Sequence, residues 1–329
     1  MKVFITGANG FVGSAVIRQL LEEGYQTRAL VRPGSDRRNL EGLPVELYEG
    51  DLAEPDSLTP GLSGCDILFH VAADYRLWIP DPDTMYRINV EGTRQLLSHA
   101  FQAGVKRAVY TSSVAALGLN ADGEPANEQT PVIPDRIIGH YKRSKYLAEQ
   151  AVLKLVREDK YPIIIVNPST PVGPRDFKPT PTGRIIVDTL NRKIPAYVDT
   201  GLNIVHVDDV ARGHIQALDL GQPGERYILG GENMTLKSIL EEICTIAGMK
   251  PPKIKLPHNA IIPIAWIAER IAGITGREPI ATVDSVRMAK KNMFFSSDKA
   301  MEKLGYKTRA AREGIADAIR WFMENNYCK

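Results

Sequence analysis

Cysteine is scarce in this chain: Cys65, Cys244 and Cys328 are the only three in 329 residues. They are far apart, odd in number and show no C-x-x-C spacing, which argues against a disulfide framework or a metal knuckle. No metal is expected, and a reducing cytoplasm is the expected compartment. Charge of one sign is also lacking, since 41 Lys and Arg against 39 Asp and Glu leave a formal net charge of +2. That balance offers no nucleic-acid footprint and points to a small-molecule ligand. Long apolar runs are missing as well. The longest, Ala260 to Ile274, is broken by Pro263, Glu269 and Arg270 and falls short of the roughly 20 residues that span a bilayer. A helix packed under a smaller lobe is its expected state, with peripheral contact to the inner membrane as the alternative. The N-terminus opens directly on a strand-like run, without the pattern of a signal peptide.

What is present is alternation. Short β-branched runs at Lys2 to Thr6, Thr27 to Val31, Val45 to Tyr48, Ile67 to Val71, Arg107 to Thr111 and Ile163 to Val166 are separated by helical patterns. These helical stretches lie near residues 13–23, 82–102 and 141–157. The reading is α/β, a doubly wound parallel sheet of the Rossmann kind. Beyond Pro168 the prolines 171, 174, 179 and 181 signal a loop lining a cleft. The chain is then expected back in the sheet near Gly201 to Val207 and Arg226 to Leu229. Residues 1–167 and about 201–230 are therefore assigned to a dinucleotide-binding domain. Residues 168–200 and 231–329 are assigned to a smaller, interleaved C-terminal substrate lobe.

Between the first strand and its helix lies Gly7-Ala8-Asn9-Gly10-Phe11-Val12-Gly13. Glycines let the backbone turn sharply and approach a pyrophosphate, whose charge suits the positive end of a helix. The spacing is G-x-x-G-x-x-G, a departure from the general G-x-G-x-x-G fingerprint. Where the second strand ends, an acid commonly binds the adenosine ribose, yet Arg32 stands here. An arginine suits a 2'-phosphate, with Ser35, Arg37 and Arg38 as further donors, so NADP(H) is preferred and NAD(H) is the alternative. Asp51 would accept from the adenine amino group, or cap a turn.

Tyr141 and Lys145 are four residues apart, a spacing that sets them on one face where the stretch is helical. A phenol with a pKa near ~10 is a poor base at neutral pH, and an ammonium beside it would stabilise the phenolate. Lys145 would also hold the nicotinamide ribose. The fifth strand runs into Thr111-Ser112-Ser113 at the ligand edge of the sheet, with Ser113 placed to hydrogen-bond a substrate oxygen beside Tyr141. Tyr141 is the candidate acid/base.

Together these motifs, with Asp51-Leu52, His70-Val71-Ala72-Ala73, Asn89 and Asn167-Pro168-Ser169, resemble an extended short-chain dehydrogenase/reductase of the NAD-dependent epimerase/dehydratase family. The resemblance spans essentially the whole chain. Ala73 to Trp78, Gly139 to Lys145, Asn167 to Arg175 and Val205 to Val210 most resemble hopanoid-associated sugar epimerases, a group close to dihydroflavonol 4-reductases. It implies Tyr141 as acid/base, Lys145 as its activator and ribose ligand, and Ser113 as the orienting hydroxyl. Leu52, Val71, Ala72, Ala73, Asn89, Thr111, Pro168 and Ser169 are counted with the cofactor contacts. Asn89 is read as a helix-start residue, Asp208 and Asp209 as a helix cap, and His206 as a structural histidine. Tyr75, Arg76, Trp78, Arg175 and Arg184 are the candidate substrate contacts, suited to a sugar or polyol, free or lipid-linked. The implied activity is an NAD(P)-dependent sugar epimerase or oxidoreductase. A net NADPH-dependent carbonyl reductase is the second reading, and a non-catalytic dinucleotide sensor the third. A homodimer is implied, paired through two helices that include the one bearing Tyr141.

Overall fold

The computed structural model describes residues 1–76, 78–79, 81–276, 279 and 282–328, so Leu77 of the Ala73 to Trp78 motif lies outside the described residues. Seven parallel strands form the main sheet: β1 (Lys2–Thr6), β2 (Gln26–Val31), β3 (Glu46–Glu49), β4 (Ile67–His70), β5 (Arg107–Thr111), β6 (Ile163–Pro168) and β10 (Arg226–Leu229). Their order is β10-β6-β5-β4-β1-β2-β3, so the winding reverses between β1 and β4. A parallel sheet buried on both faces needs apolar residues in succession, and β6 reads Ile163-Ile164-Ile165-Val166 accordingly. Alternate side chains go to opposite faces. Val3, Ile5, Val109 and Ile164 meet α1 (Phe11–Glu22) and α7 (Val207–Leu220). Phe4, Leu68, Tyr110 and Ile165 meet α4 (Thr93–Gln102) and α5 (His140–Glu158).

After Pro168 the chain leaves this sheet. Strands β7 (Thr170–Val172), β9 (Gly201–His206) and β11 (Glu232–Thr235) make a second sheet in the order β11-β9-β7. Their cover comprises α6 (Pro181–Leu190), α8 (Leu236–Ile246) and α12 (Ala311–Glu324). The expected return of Gly201 to Val207 to the main sheet is thereby corrected. Position beside β6 is filled by β10, with Arg226 opposite Ile165, while β9 pairs with β7, Ile204 opposite Thr170. The return near Arg226 to Leu229 does occur. A short pair joins β8 (Ala196–Val198) to β12 (Ile254–Leu256). Helices α9 (His258–Thr275) and α10 (Val283–Met288) pack on one another, followed by α11 (Asp298–Leu304). The remaining short helices are α2 (Thr59–Leu62) and α3 (Pro82–Tyr86); a π-helical turn, Arg87–Gly92, joins α3 to α4. Among the described residues no helix is long and apolar enough to cross a membrane.

Candidate active site

The strand ends carry the site. At the reversal point Gly7 takes φ +69, and a Cβ there would stand 2.7 Å from the Ala72 nitrogen. At Gly13 a Cβ would meet the Gly7 carbonyl oxygen at 2.1 Å, so glycine is what lets α1 start this close to β1. Gly10 precedes α1 and supplies no side-chain cap. The first main-chain bond runs from Ser14 N–H to the Gly10 carbonyl at 3.0 Å, which leaves the N–H groups of Phe11, Val12 and Gly13 without helical acceptors. Bare N–H groups on a glycine bend fit a dinucleotide pyrophosphate.

Asn9 ties this loop to the next one. Its Nδ2 donates to the Asp36 carbonyl at 2.8 Å, and its carbonyl accepts from Asn39 Nδ2 at 3.1 Å. Of the arginines beyond β2, Arg37 pairs with Glu49 and Arg38 with Asp36, the latter also lying 4.4 Å over the Phe177 ring. Arg32 is exposed, and its guanidinium makes no hydrogen bond or ion pair among the described residues, though its charge helps to lower the pKa of Asp74. Ser35 Oγ donates to the Arg32 carbonyl at 2.7 Å and so shapes the turn. Asp51 also holds a turn, its Oδ1 accepting from Ala53 N–H at 2.9 Å, while Leu52 is buried in the core.

Behind Val71, Ala72 and Ala73, His70 lies between Thr6 Oγ1 at 2.7 Å and Thr93 Oγ1 at 2.8 Å. Burial, with Lys145 nearby, pushes its pKa down to about 3, so it stays neutral. Asn89 is not at a helix start. It sits in the π-helical turn, buried, where Oδ1 accepts from Asp74 N–H at 2.7 Å and Nδ2 donates to the Asp74 carbonyl at 2.8 Å and to Ser144 Oγ at 2.9 Å. It pins the loop after β4 to α5.

Tyr141 and Lys145 share the inner face of α5, whose first turn meets the end of β5. Ser113 stands close enough to Tyr141 to act on the phenol, and its Oγ accepts from Ala115 N–H at 3.1 Å. Lys145 Nζ donates to the Thr111 carbonyl at 2.9 Å and to the Tyr110 hydroxyl at 3.4 Å, 5.0 Å above the Tyr110 ring. This corrects the expectation that the Lys145 ammonium brings the phenol pKa down. Burial raises Tyr141 above its ordinary value, and the opposing influence is the neighbouring Ser113 hydroxyl. Lys145 itself is brought down to about 8 by burial, which Glu149, one turn further on, partly offsets. The Thr111 hydroxyl bonds His214 Nε2 at 2.9 Å; His214 Nδ1–H donates to the Val210 carbonyl at 2.8 Å, which fixes the tautomer, and burial holds its pKa at about 4.

A second buried layer was not read from the sequence. Asn167 Nδ2 donates to Glu149 Oε2 at 2.8 Å and to the Ser113 carbonyl at 3.0 Å, and Arg226 approaches Glu149 Oε1 at 3.4 Å. The i+4 spacing of Lys145 and Glu149 was a usable signal; Arg226 lies too far along the chain to give one. Ser169 Oγ, just past Pro168, is buried without a hydrogen-bond partner. An orphaned hydroxyl at the end of β6, on the same sheet edge as the glycine bend three strands away, fits the far half of a bound nicotinamide dinucleotide.

Arg76, Trp78, Ile79, His140, Glu269, Thr282 and Asp284 line a cleft beside the first turn of α5, where His140 precedes Tyr141. Of the candidate substrate contacts, Arg76 and Trp78 are there, with Arg76 clasping Asp74 through Nε at 2.9 Å. Tyr75, 43% exposed, acts electrostatically on Tyr141. Arg175 is turned to an ion pair with Asp208, and Arg184 lies on the exposed side of α6. The cap of α7 is His206, whose Nδ1 accepts from Asp208 N–H at 3.0 Å, in place of the expected Asp208 and Asp209. Asp209 instead takes Arg309 through main chain and guanidinium at 2.8 and 2.7 Å. His140, Glu269 and Asp284 were missed because the cleft joins segments remote in sequence.

Residues 3–230 match the NAD dependent epimerase/dehydratase family. The chain is 47% identical over 332 residues to a Synechocystis protein provisionally named dihydroflavonol 4-reductase, covering 99% of this chain and 96% of that one. It is 34% identical to sterol demethylase protein B of Methylococcus capsulatus, over 98% and 99% of the two chains. The crystal structure of gox2253 superposes with a TM-score of 0.90 at 57% identity, covering 99% of each chain. The chain therefore belongs to the NAD dependent epimerase/dehydratase family and is an enzyme of the extended short-chain dehydrogenase/reductase type.

Proposed function

We propose that the protein moves hydride between a nicotinamide cofactor, NADP(H) in preference to NAD(H), and a carbinol or carbonyl carbon, with Tyr141 as the acid/base. The observation that carries the reading is the convergence of Ser113 and Tyr141 beside the buried Lys145 ammonium, at the same edge of the sheet as the glycine bend. The nicotinamide would supply or accept the hydride. Glycines 7, 10 and 13 would bind its pyrophosphate, Arg32 a 2'-phosphate, and Lys145, Ser169 and Pro168 the nicotinamide half. Ser113 would orient the substrate oxygen while Tyr141 hands a proton to it or takes one from it. Net carbonyl reduction is the favoured direction, since Arg32 holds an exposed guanidinium outside any ion pair and the relatives' names are those of a reductase and a sterol demethylase component. The substrate is then a ketone or alcohol on a large, largely apolar framework. Cytoplasmic location and a homodimer through α5 complete the proposal.

Epimerisation of a lipid-linked sugar, as in the hopanoid-associated enzymes, is the second reading, favoured by the family match over residues 3–230. Both use the same side chains, and the fate of the cofactor separates them. The test is to release and weigh the nucleotide from purified protein and follow its exchange during turnover. Freely exchanging NADPH, consumed one for one with ketone, is the expected result. A tightly retained nucleotide that never exchanges would replace reduction by epimerisation, and no nucleotide binding would remove both.

A further inference from the structure

Helix α9 is inside out. Its buried side chains are the small Ala265 and Ala272, while Ile264, Trp266, Ile267, Ile271 and Ile274 are 52–88% exposed. Residues 264, 267, 271 and 274 recur at three and four, so they form one continuous stripe along the helix. Pro263 and Ala260 extend it, and Arg270, its guanidinium 5.0 Å over the Trp266 ring, borders it. A water-facing helix ordinarily reverses this arrangement, and a contiguous exposed apolar surface marks an interaction site.

The charge around the stripe names the occupant. Residues 250–291 hold eight Lys and Arg against three Asp and Glu, a net +5 in a chain of net +2, so the remainder is net −3. Lys250, Lys253, Lys290 and Lys291 are exposed; Lys255 is neutralised by Asp199 at 2.7 Å. A second copy meeting this face across a two-fold axis would set the positive segment against itself, which disfavours self-association there. An apolar stripe with an arginine-stacked tryptophan at its border and lysines beyond it matches an anionic lipid surface.

We propose that α9 docks on an anionic bilayer, its Ile264–Ile274 stripe and Trp266 in the headgroup–acyl boundary and the four lysines against the headgroups. The opposite face of the helix carries Glu269, which lines the cleft beside the start of α5 and accepts from Val283 N–H at 3.0 Å. Docking thus sets the cleft mouth beside the membrane, where an apolar ketone or alcohol would be collected. That last consequence rests on the hydride-transfer reading; the docking does not.

The test is co-sedimentation of the full chain with phosphatidylcholine–phosphatidylglycerol vesicles and with phosphatidylcholine alone. Wild type is expected to partition at least about tenfold more strongly to the anionic vesicles, and less as salt is raised. Ile267→Glu with Ile271→Glu should lose at least about tenfold of that binding while dinucleotide affinity and circular dichroism stay as in wild type. Lys290→Glu with Lys291→Glu should remove most of the preference for phosphatidylglycerol. Wild type remaining in the supernatant, or the isoleucine variant pelleting like wild type, overturns docking. A dimer in equilibrium sedimentation that the isoleucine variant dissociates, without vesicle binding, overturns it in favour of a second copy. Vesicle binding by a protein that takes up no dinucleotide would refute the reaction and leave the docking standing.

Discussion

Replacing Gly13 by alanine tests whether the start of α1 is built for a pyrophosphate. The new Cβ would lie 2.1 Å from the Gly7 carbonyl oxygen, where contacts under 3.0 Å essentially never occur, so α1 and the end of β1 must part by about 0.9 Å. The opposing atoms are backbone, and no side chain can swing aside. Forced overpacking of this kind costs about 1–3 kcal/mol. With an unfolding entropy of roughly 2.1 cal/mol/K per residue over 329 residues, Tm should fall by roughly 1.5–4 °C. The same shift stretches an N–H to phosphate bond from about 2.9 Å to about 3.8 Å, beyond bonding range. Losing one charge-assisted bond of about 1.5–3 kcal/mol weakens dinucleotide binding about ten- to hundredfold. Gly10→Ala is the companion. Its Cβ meets only the Gly7 carbonyl oxygen, at 3.1 Å, so Tm should hold within about 1 °C while affinity falls, because the methyl projects on the open side of the loop. Thermal unfolding and dinucleotide titration read both effects. Wild-type affinity in Gly13→Ala would refute the reasoning.

Arg32→Ala should weaken NADPH at least about tenfold and leave NADH within about twofold, in parallel titrations; equal losses would show that the guanidinium does not read the 2'-phosphate. Asn89→Ala removes three bonds of 2.7–2.9 Å and should cost about 2–4 kcal/mol in denaturant unfolding, with Asp74 and Ser144 left unsatisfied. Asp176 is buried, and burial raises its pKa to about 6 against the bonds it accepts from Thr180. The folded state therefore holds a proton that the unfolded state gives up near ~3.9, and stability falls as pH rises through the window from about 4 to about 6. Asp176→Asn should remove that slope, on the order of 2–3 kcal/mol across the window, in unfolding followed against pH; an unchanged slope would place the titration elsewhere.

The parts legible in sequence are those that a short segment determines. The glycine bend, the apolar strands and the Tyr141–Lys145 spacing each depend on neighbours within a few residues, and the structure sets the bend and the pair at one edge of the sheet, with β4 between β1 and β5. Strand β9 misled because its apolar alternation suits either sheet, and pairing with β7 instead of β6 is decided by where β10 inserts. Lys145 was expected on Tyr141 from helical spacing alone, whereas the Thr111 carbonyl and Tyr110, brought in by β5, compete for its ammonium. His206 caps α7 with a ring nitrogen, a role that the two acids beside it obscure in sequence. The cleft was least legible: His140, Trp78, Glu269 and Asp284 converge from four separate segments.

The most direct test of the account is Tyr141→Phe, assayed with whichever ketone or alcohol the wild type turns over, alongside titration of its nucleotide. The account predicts a fall in kcat of about 10²–10⁴-fold with nucleotide affinity within about twofold of wild type, since the phenol moves the substrate proton and does not hold the cofactor phosphates. Turnover near the wild-type rate, with nucleotide still bound, would contradict it.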